Sequence, residues 1–319
     1  VTDLAAFLSM CMSSPALLTS ACALVIVPAL AWLMVRALTP SLSRMTDDAG
    51  WQAPLAAAAA ALPGALFLTI GAATLRGGWD SVCLQFASGR VLYGAIAAVT
   101  AFGFIRAVAL AVRRSREVER LVRASSPPSA RVRHAGDRAG MRVREVSSAG
   151  PVVVLAGLFR PTVFVSTEAV SRVNDAELLA TIRHEAAHAQ RRDLVCGAIV
   201  TFIADVVPLP VGALIALHHR AREFAADAHA ARIADPCDLA SALLALARPA
   251  KVAGGIAAFA EAGTVRDRLG ALLSDTALRP SRLRRALCTA ALAATFVLGA
   301  APVSIAVALG FTCSTGMPM

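Results

Sequence analysis

Val195-Cys196-Gly197-Ala198-Ile199-Val200-Thr201-Phe202-Ile203-Ala204-Asp205-Val206-Val207-Pro208-Leu209-Pro210-Val211-Gly212-Ala213-Leu214-Ile215-Ala216-Leu217 is apolar over nearly the length of a membrane crossing, and its reading decides the fold. Just before it stands Ile182-Arg183-His184-Glu185-Ala186-Ala187-His188, and just after it Arg222-Glu223-Phe224-Ala225-Ala226-Asp227. A single crossing would leave these two polar motifs on opposite faces of a bilayer. Thirty-five residues separate His188 from Glu223, too few for two full spans plus the helices that carry the motifs. Asp205, Pro208 and Pro210 also interrupt the run near its middle. The run therefore reads as a helical hairpin over 195–217, packed in the core of a folded lobe or dipping into the near leaflet, with both motifs on one side.

The first motif is HExxH. On a helix its two histidines, four residues apart, share a face and can offer two imidazole nitrogens to one metal ion, while Glu185 is placed to take a proton from water. Asn174 or Asp175 can cap that helix, Glu177 lies in its first turn, and Leu178, Leu179, Ile182 and Ala186 form an apolar stripe. A catalytic zinc takes three protein ligands and keeps one position open. Glu223 is the leading candidate for the third, with Asp193, Asp205, His218 and Asp227 as alternatives. Asp227, one helical turn from Glu223, suits a hydrogen bond to the far nitrogen of a ligand imidazole. Five of the six histidines lie between His184 and His229.

Composition frames this site within a membrane protein. Hydrophobic residues make up 57% of the 319 and charged ones 16%, which is too apolar for an ordinary soluble chain. Four segments are long enough to span: Leu17 to Val35, Pro54 to Leu75, Val91 to Val112 and Ala286 to Leu309. Arg113, Arg114, Arg116, Arg120 and Arg123 follow the third, and Arg279, Arg282, Arg284 and Arg285 precede the fourth, so the region between is expected in the cytoplasm. Both termini and the loop from Arg76 to Arg90 are then outside, and the N-terminus, with Asp3 and no early basic residue, is expected to remain uncleaved. The expected organisation is a membrane domain with three spans over 1–112, a basic cytoplasmic linker over 113–130, a peptidase lobe over 131–285, and a last span with a short tail over 286–319. The net charge of +10 is almost all arginine, Lys251 being the only lysine. It is assigned to topology and lipid headgroups, with no direct nucleic-acid binding expected. Seven cysteines without CxxC spacing exclude a disulfide or zinc-finger framework, Cys83 and Cys313 being the one pair that topology would put on the same side.

The run Gly157-Leu158-Phe159-Arg160-Pro161-Thr162-Val163-Phe164-Val165, then Asp175-Ala176-Glu177-Leu178-Leu179-Ala180, His184 to Asp193, and Arg222 to Asp227 resemble the M56 peptidases. These are integral-membrane zinc enzymes similar to the β-lactam sensor-transducers. The resemblance covers residues 150–235 in motif and the whole chain in membrane layout. It implies a mostly α integral membrane protein of about four transmembrane helices with an inserted cytoplasmic α+β gluzincin-like lobe. It also implies Zn2+ held by His184, His188 and Glu223, Glu185 as base, and a cytoplasmic DNA-binding repressor as the protein substrate. The sensors carry a penicillin-binding domain after their last span, whereas this sequence stops at Met319, so a different device is expected to receive the signal.

Between Ser125 and Ser166 the pattern shifts to short β-type runs. Pro127-Pro128 begins a linker, Arg131 to Arg133 and Met141 to Val146 alternate weakly, and Val152 to Leu155 pairs with Val163 to Val165 across Gly157 to Pro161. One of these strands is a candidate edge for an extended peptide, or all belong simply to the core sheet of the lobe. Hydrolysis also needs a donor for the developing oxyanion. The only tyrosine, Tyr93, falls in the third span, which leaves His218, His219, His229 and Arg222. Two other functions fit the same residues: a membrane quality-control protease, and a non-catalytic zinc-containing receptor, which would have no need of Glu185. The lipid bilayer is the remaining expected partner, and the layout permits a homo-oligomer.

Overall fold

The computed structural model describes residues 15–44, 49–79, 87–148, 150–207, 209–247, 262–273 and 282–311. The N-terminal segment, the centre of the expected outer loop, Lys251 and the Cys83–Cys313 pairing lie outside the described residues.

Four helices are much longer than the rest: α1 (Pro15–Ser43), α2 (Ala49–Trp79), α3 (Ala87–Arg123) and, near the far end of the sequence, α11 (Arg282–Phe311). Between α3 and α11 the chain runs through β1 (Ser125–Ser126), α4 (Ala130–Ala139), β2 (Arg142–Val146), β3 (Val153–Ala156), β4 (Thr162–Ser166) and α5 (Thr167–Arg172). It continues through α6 (Asp175–Gln190), α7 (Asp193–Val206), α8 (Gly212–Ala230), α9 (Pro236–Leu246) and α10 (Ala262–Leu273). Among the described residues, two helical segments are long and apolar enough to cross a membrane, Ala23–Ser43 and Ala49–Ala73.

Two expectations about local structure are corrected. The basic stretch after the third span is no linker up to residue 123: α3 continues through it to Arg123, with Arg123 bonded to Glu119 one turn back. Arg131 to Arg133 is not a strand either. Val132, Ala135 and Gly136 are buried at helical spacing in α4, and the left-handed Gly140 (φ 67°) ends it. A run of three residues carries too little periodicity to tell the two apart.

The sheet has the order β1-β2-β4-β3. β2 pairs parallel with β4, and β3 and β4 form the antiparallel hairpin read from the sequence, in the register Leu155 opposite Val163. β3 is an edge strand. One face of the sheet buries Leu155, Val163 and Val165 against Val132, Leu178 and Ile182, so the HExxH helix α6 lies directly under it.

α6 begins where the sequence says it should. The Asn174 side chain accepts from the Glu177 amide at 2.9 Å, and the Glu177 carboxylate accepts from the Asn174 amide at 2.8 Å, a reciprocal cap. It ends in a two-residue turn whose second residue, Arg192, takes a left-handed conformation (φ 55°) rarely adopted by side chains other than glycine and asparagine. That turn starts α7 at Asp193.

α7 and α8 are a helix and a second helix joined by a short bend, each packed mainly on other helices rather than on its neighbour. They pack on the long helices: α2 touches α8, α1, α11, α7 and α3. A buried cluster joins Val35, Ala59, Leu66, Val200, Leu214 and Leu292 across five helices. Close approach is bought with glycine. A Cβ on Gly64 of α2 would lie 2.0 Å from the Ile203 carbonyl oxygen, and one on Gly103 of α3 would lie 2.6 Å from that of Val206. Arg106 and Arg114 of α3 meet the last turn of α7: Arg106 donates to the Asp205 carbonyl, and Arg114 pairs with the Asp205 carboxylate at 2.7 Å. At the start of α8, Trp32 donates to the Pro210 carbonyl at 3.3 Å and His218 to that of Ala53 at 2.9 Å.

Candidate metal centre

The bend between α7 and α8 brings the two motifs face to face. α6 presents His184 and His188 on one side, with their rings 4.9 Å apart and nearly perpendicular. α8 presents Glu223 opposite them. Its Oε2 lies 3.4 Å from His184 Nε2 and its Oε1 3.4 Å from His188 Nε2, and the two Nε2 atoms are 3.2 Å apart. His184, His188 and Glu223 thus form a group that could hold a metal ion, all ligand atoms lying within 4.8 Å of one another.

Each imidazole is backed by a carboxylate. His188 Nδ1 donates to Asp193 Oδ2 at 2.7 Å, a contact made possible by the tight turn at Arg192. His184 Nδ1 lies 2.9 Å from Asp227 Oδ1, although its N–H is not well aimed at that oxygen, so the contact is better described as charge pairing than as a formed hydrogen bond. Asp193 is flanked by Arg191 Nε at 3.4 Å and Arg222 Nε at 3.7 Å. Asp227 is gripped on both oxygens by Arg268 of α10, at 2.7 Å each.

The chemistry of this donor set fits a cation. With both Nδ1 atoms facing carboxylates, each ring carries its proton there, and the Nε2 lone pairs face each other across 3.2 Å beside a third carboxylate. Lone pairs in that arrangement repel unless a metal ion or protons lie among them. Without a metal the histidines hold protons. Burial works to lower the His184 pKa, but Asp227 and Glu223 outweigh burial and the opposing Arg268, raising it to about 10. Burial likewise opposes charge on His188, and Asp193 and Glu223 raise it above the usual imidazole value. For Glu223 burial pushes upward, yet hydrogen bonds from the two histidines hold it well below the ordinary range.

Glu185 points from α6 toward the sheet edge, where its Oε2 accepts from the Leu155 amide at 3.0 Å. Burial raises its pKa, against the charges of His184 and His188. Beside His188 a cavity of about 470 Å³ opens between the β3–β4 turn and the α6–α7 junction, walled by Leu158, Phe159, Pro161, Leu194 and Val195.

The remaining candidates are placed elsewhere. Asp205 is engaged with Arg114 at the far end of α7, and buried His218 faces α2. Asp193 and Asp227 support the histidines and do not join the ligand group. Arg222 lies against Asp193, and His219 stands exposed on α8. Sequence reasoning missed Arg268, forty-five residues past Glu223 in a helix with no motif of its own, and it missed the Leu155 amide, which no side-chain pattern marks. No family model, curated protein or solved structure matches this chain.

Proposed function

We propose that this chain is a membrane-bound zinc metalloendopeptidase of the M56 kind, a signal transducer that cleaves a cytoplasmic DNA-binding repressor. In this reading about four helices cross the bilayer, α1, α2, α3 and α11, and a gluzincin-like lobe faces the cytoplasm. The observation that carries it is the pair of Nε2 atoms 3.2 Å apart, closed by Glu223 at 3.4 Å from each, with the half-buried Glu185 next to His184 on the same helix.

His184, His188 and Glu223 would hold the zinc through two neutral nitrogens and a carboxylate. A zinc ion so bound supplies Lewis acidity to water and to a scissile carbonyl. Glu185 acts as base and then as acid, taking the proton of the attacking water and passing it to the leaving amine. Burial makes its carboxylate a better base than one in solvent, and the Leu155 amide holds it in place. Asp193 and Asp227 keep the histidine protons on Nδ1, leaving Nε2 free for the ion.

β3 gives the substrate a track. Ser166 donates its amide to Val152 across the hairpin at 2.8 Å, so the alternation of an antiparallel ladder turns the Val153 amide and carbonyl and the Leu155 carbonyl to the open edge, the Leu155 amide there being held by Glu185. An extended peptide pairing there would pass Glu185, and the cavity beside His188 would take one of its apolar side chains.

The test compares new protein N-termini, by mass spectrometry, in cells carrying the wild-type chain and cells carrying Glu185→Ala. One wild-type-only cut in a DNA-binding repressor supports the transducer, and many cuts in membrane proteins replace it with quality control. No difference, under conditions in which the signal is present, refutes the peptidase.

A further inference from the structure

We infer that Arg268 is a positioning residue that restricts Glu223 to binding a metal ion through one oxygen. The inference rests on the metal-centre reading above. Both Glu223 oxygens face imidazoles at 3.4 Å, so nothing in the two motifs stops the carboxylate from chelating an ion with both. Chelation would fill the position that water needs.

Arg268 reaches in from α10, buried to within 6% of full enclosure. Its Nε and Nη2 take the two oxygens of Asp227 at 2.7 Å, and this two-point fork fixes the plane of the guanidinium. The third nitrogen, Nη1, is thereby carried to 3.1 Å from Glu223 Oε2. A charge-assisted contact on Oε2 competes with a metal for that oxygen and leaves Oε1 as the ligand atom. Anchoring of α10 does not call for this third contact. The fork already ties α10 to α8, and Asp267 pairs with Arg220 of α8 at 2.6 Å as a second tie. A lysine at 268 would keep the charge but could not hold Asp227 by two points and Glu223 by a third.

The test loads the full chain, solubilised in detergent, with cobalt(II), whose visible bands are intense in four-coordinate sites and weak in five-coordinate ones. Wild type should bind one cobalt with intense bands. Arg268→Gln and Arg268→Lys should each bind one cobalt with bands several-fold weaker, as Glu223 closes on the ion with both oxygens. Arg220→Ala, which cuts the other tie of α10, should keep the wild-type spectrum, and this separates positioning from support of the helix. If Arg268→Gln does not fold, Arg268→Lys is read alone. A cobalt-loaded variant at residue 268 with the wild-type spectrum overturns the inference, as does the same loss in Arg220→Ala. A wild-type chain that takes up no cobalt overturns the metal centre itself, a different failure from the loss or survival of band intensity.

Discussion

Between pH 7 and pH 9 metal binding should tighten by at least about tenfold per pH unit, because His184, and His188 where it too is protonated, must give up a proton before its Nε2 can bind a cation. In the metal-free site His184 titrates near 10, against an ordinary value of 6.5. Burial lowers it, and the charge and proximity of Asp227, with help from Glu223, more than reverse that. Three units separate 10 from pH 7, which at 1.36 kcal/mol per unit is a penalty of about 4 kcal/mol, with roughly one site in a thousand ready to bind. An unperturbed imidazole would be mostly deprotonated at pH 7, and its metal affinity would level off just above. The assay is competition with a chromophoric chelator of known pH dependence. It is paired with calorimetry in two buffers of different ionisation heat, which counts the protons released. At least one proton per metal should appear at pH 7, and Asp227→Asn should move the plateau toward neutral pH. An affinity that levels off below about pH 8, with little proton release, would refute the reasoning.

Glu185→Gln should retain one metal per chain and lose about 10²- to 10⁴-fold in peptide cleavage, measured against metal content in the same preparation. Asp193→Ala should weaken metal binding about 10- to 100-fold by the same competition assay, since it frees the His188 ring and leaves Arg222 without its buried partner. The metal-free protein should melt highest near pH 6.5, since the buried His218, whose pKa burial lowers, costs stability as pH falls below that value. The raised His184 stabilises it fully below 6.5 and ceases to as pH climbs toward 10, while the depressed Glu223 and Asp227 stabilise it above their ordinary 4.5 and 3.8 and fail as pH falls through their lower folded values. A melting curve flat from pH 5 to 9 would count against those shifts. Gly64→Leu should cost about 3 kcal/mol or more, read as a fall in Tm, because even its Cβ would meet the Ile203 carbonyl at 2.0 Å. An unchanged Tm would mean that α2 and α7 are not in contact there.

The parts legible in the sequence were those governed by local periodicity. His184, Glu185 and His188 share a helix, and a fixed 3.6-residue repeat puts the two histidines on one face and Glu185 one residue round from it, whatever surrounds them. The Asn174 cap and the β3–β4 hairpin are likewise short-range. Glu223 led the candidates because it shares a helical face with Asp227 at i and i+4, and the length and prolines of the intervening run let it reach the histidines. What stayed hidden depends on partners far away in the chain. Asp193 looked like a rival ligand because the turn at Arg192, which swings it onto His188 Nδ1, has a backbone conformation that arginine does not announce. Arg268 is one arginine among many until α10 is docked. The basic continuation of α3 read as a linker because charge marks a membrane boundary without marking the end of a helix.

The pair α7 and α8 fits into slots cut by Gly64 and Gly103, and its bend is fastened by Trp32, Arg106 and Arg114. One metal-bearing wall, and the support of the other, are therefore built on foundations outside the lobe: α8 carries Glu223 and Asp227, and α7 begins at Asp193, the support of His188. Cutting the lobe free of the long helices would strip Val200, Val206 and Leu214 of their cover and His218 of its acceptor. The excised piece would then be a sheet with one intact histidine helix and no stable opposite wall. Purification, ligand screening and metal titration consequently call for the whole chain, long helices included.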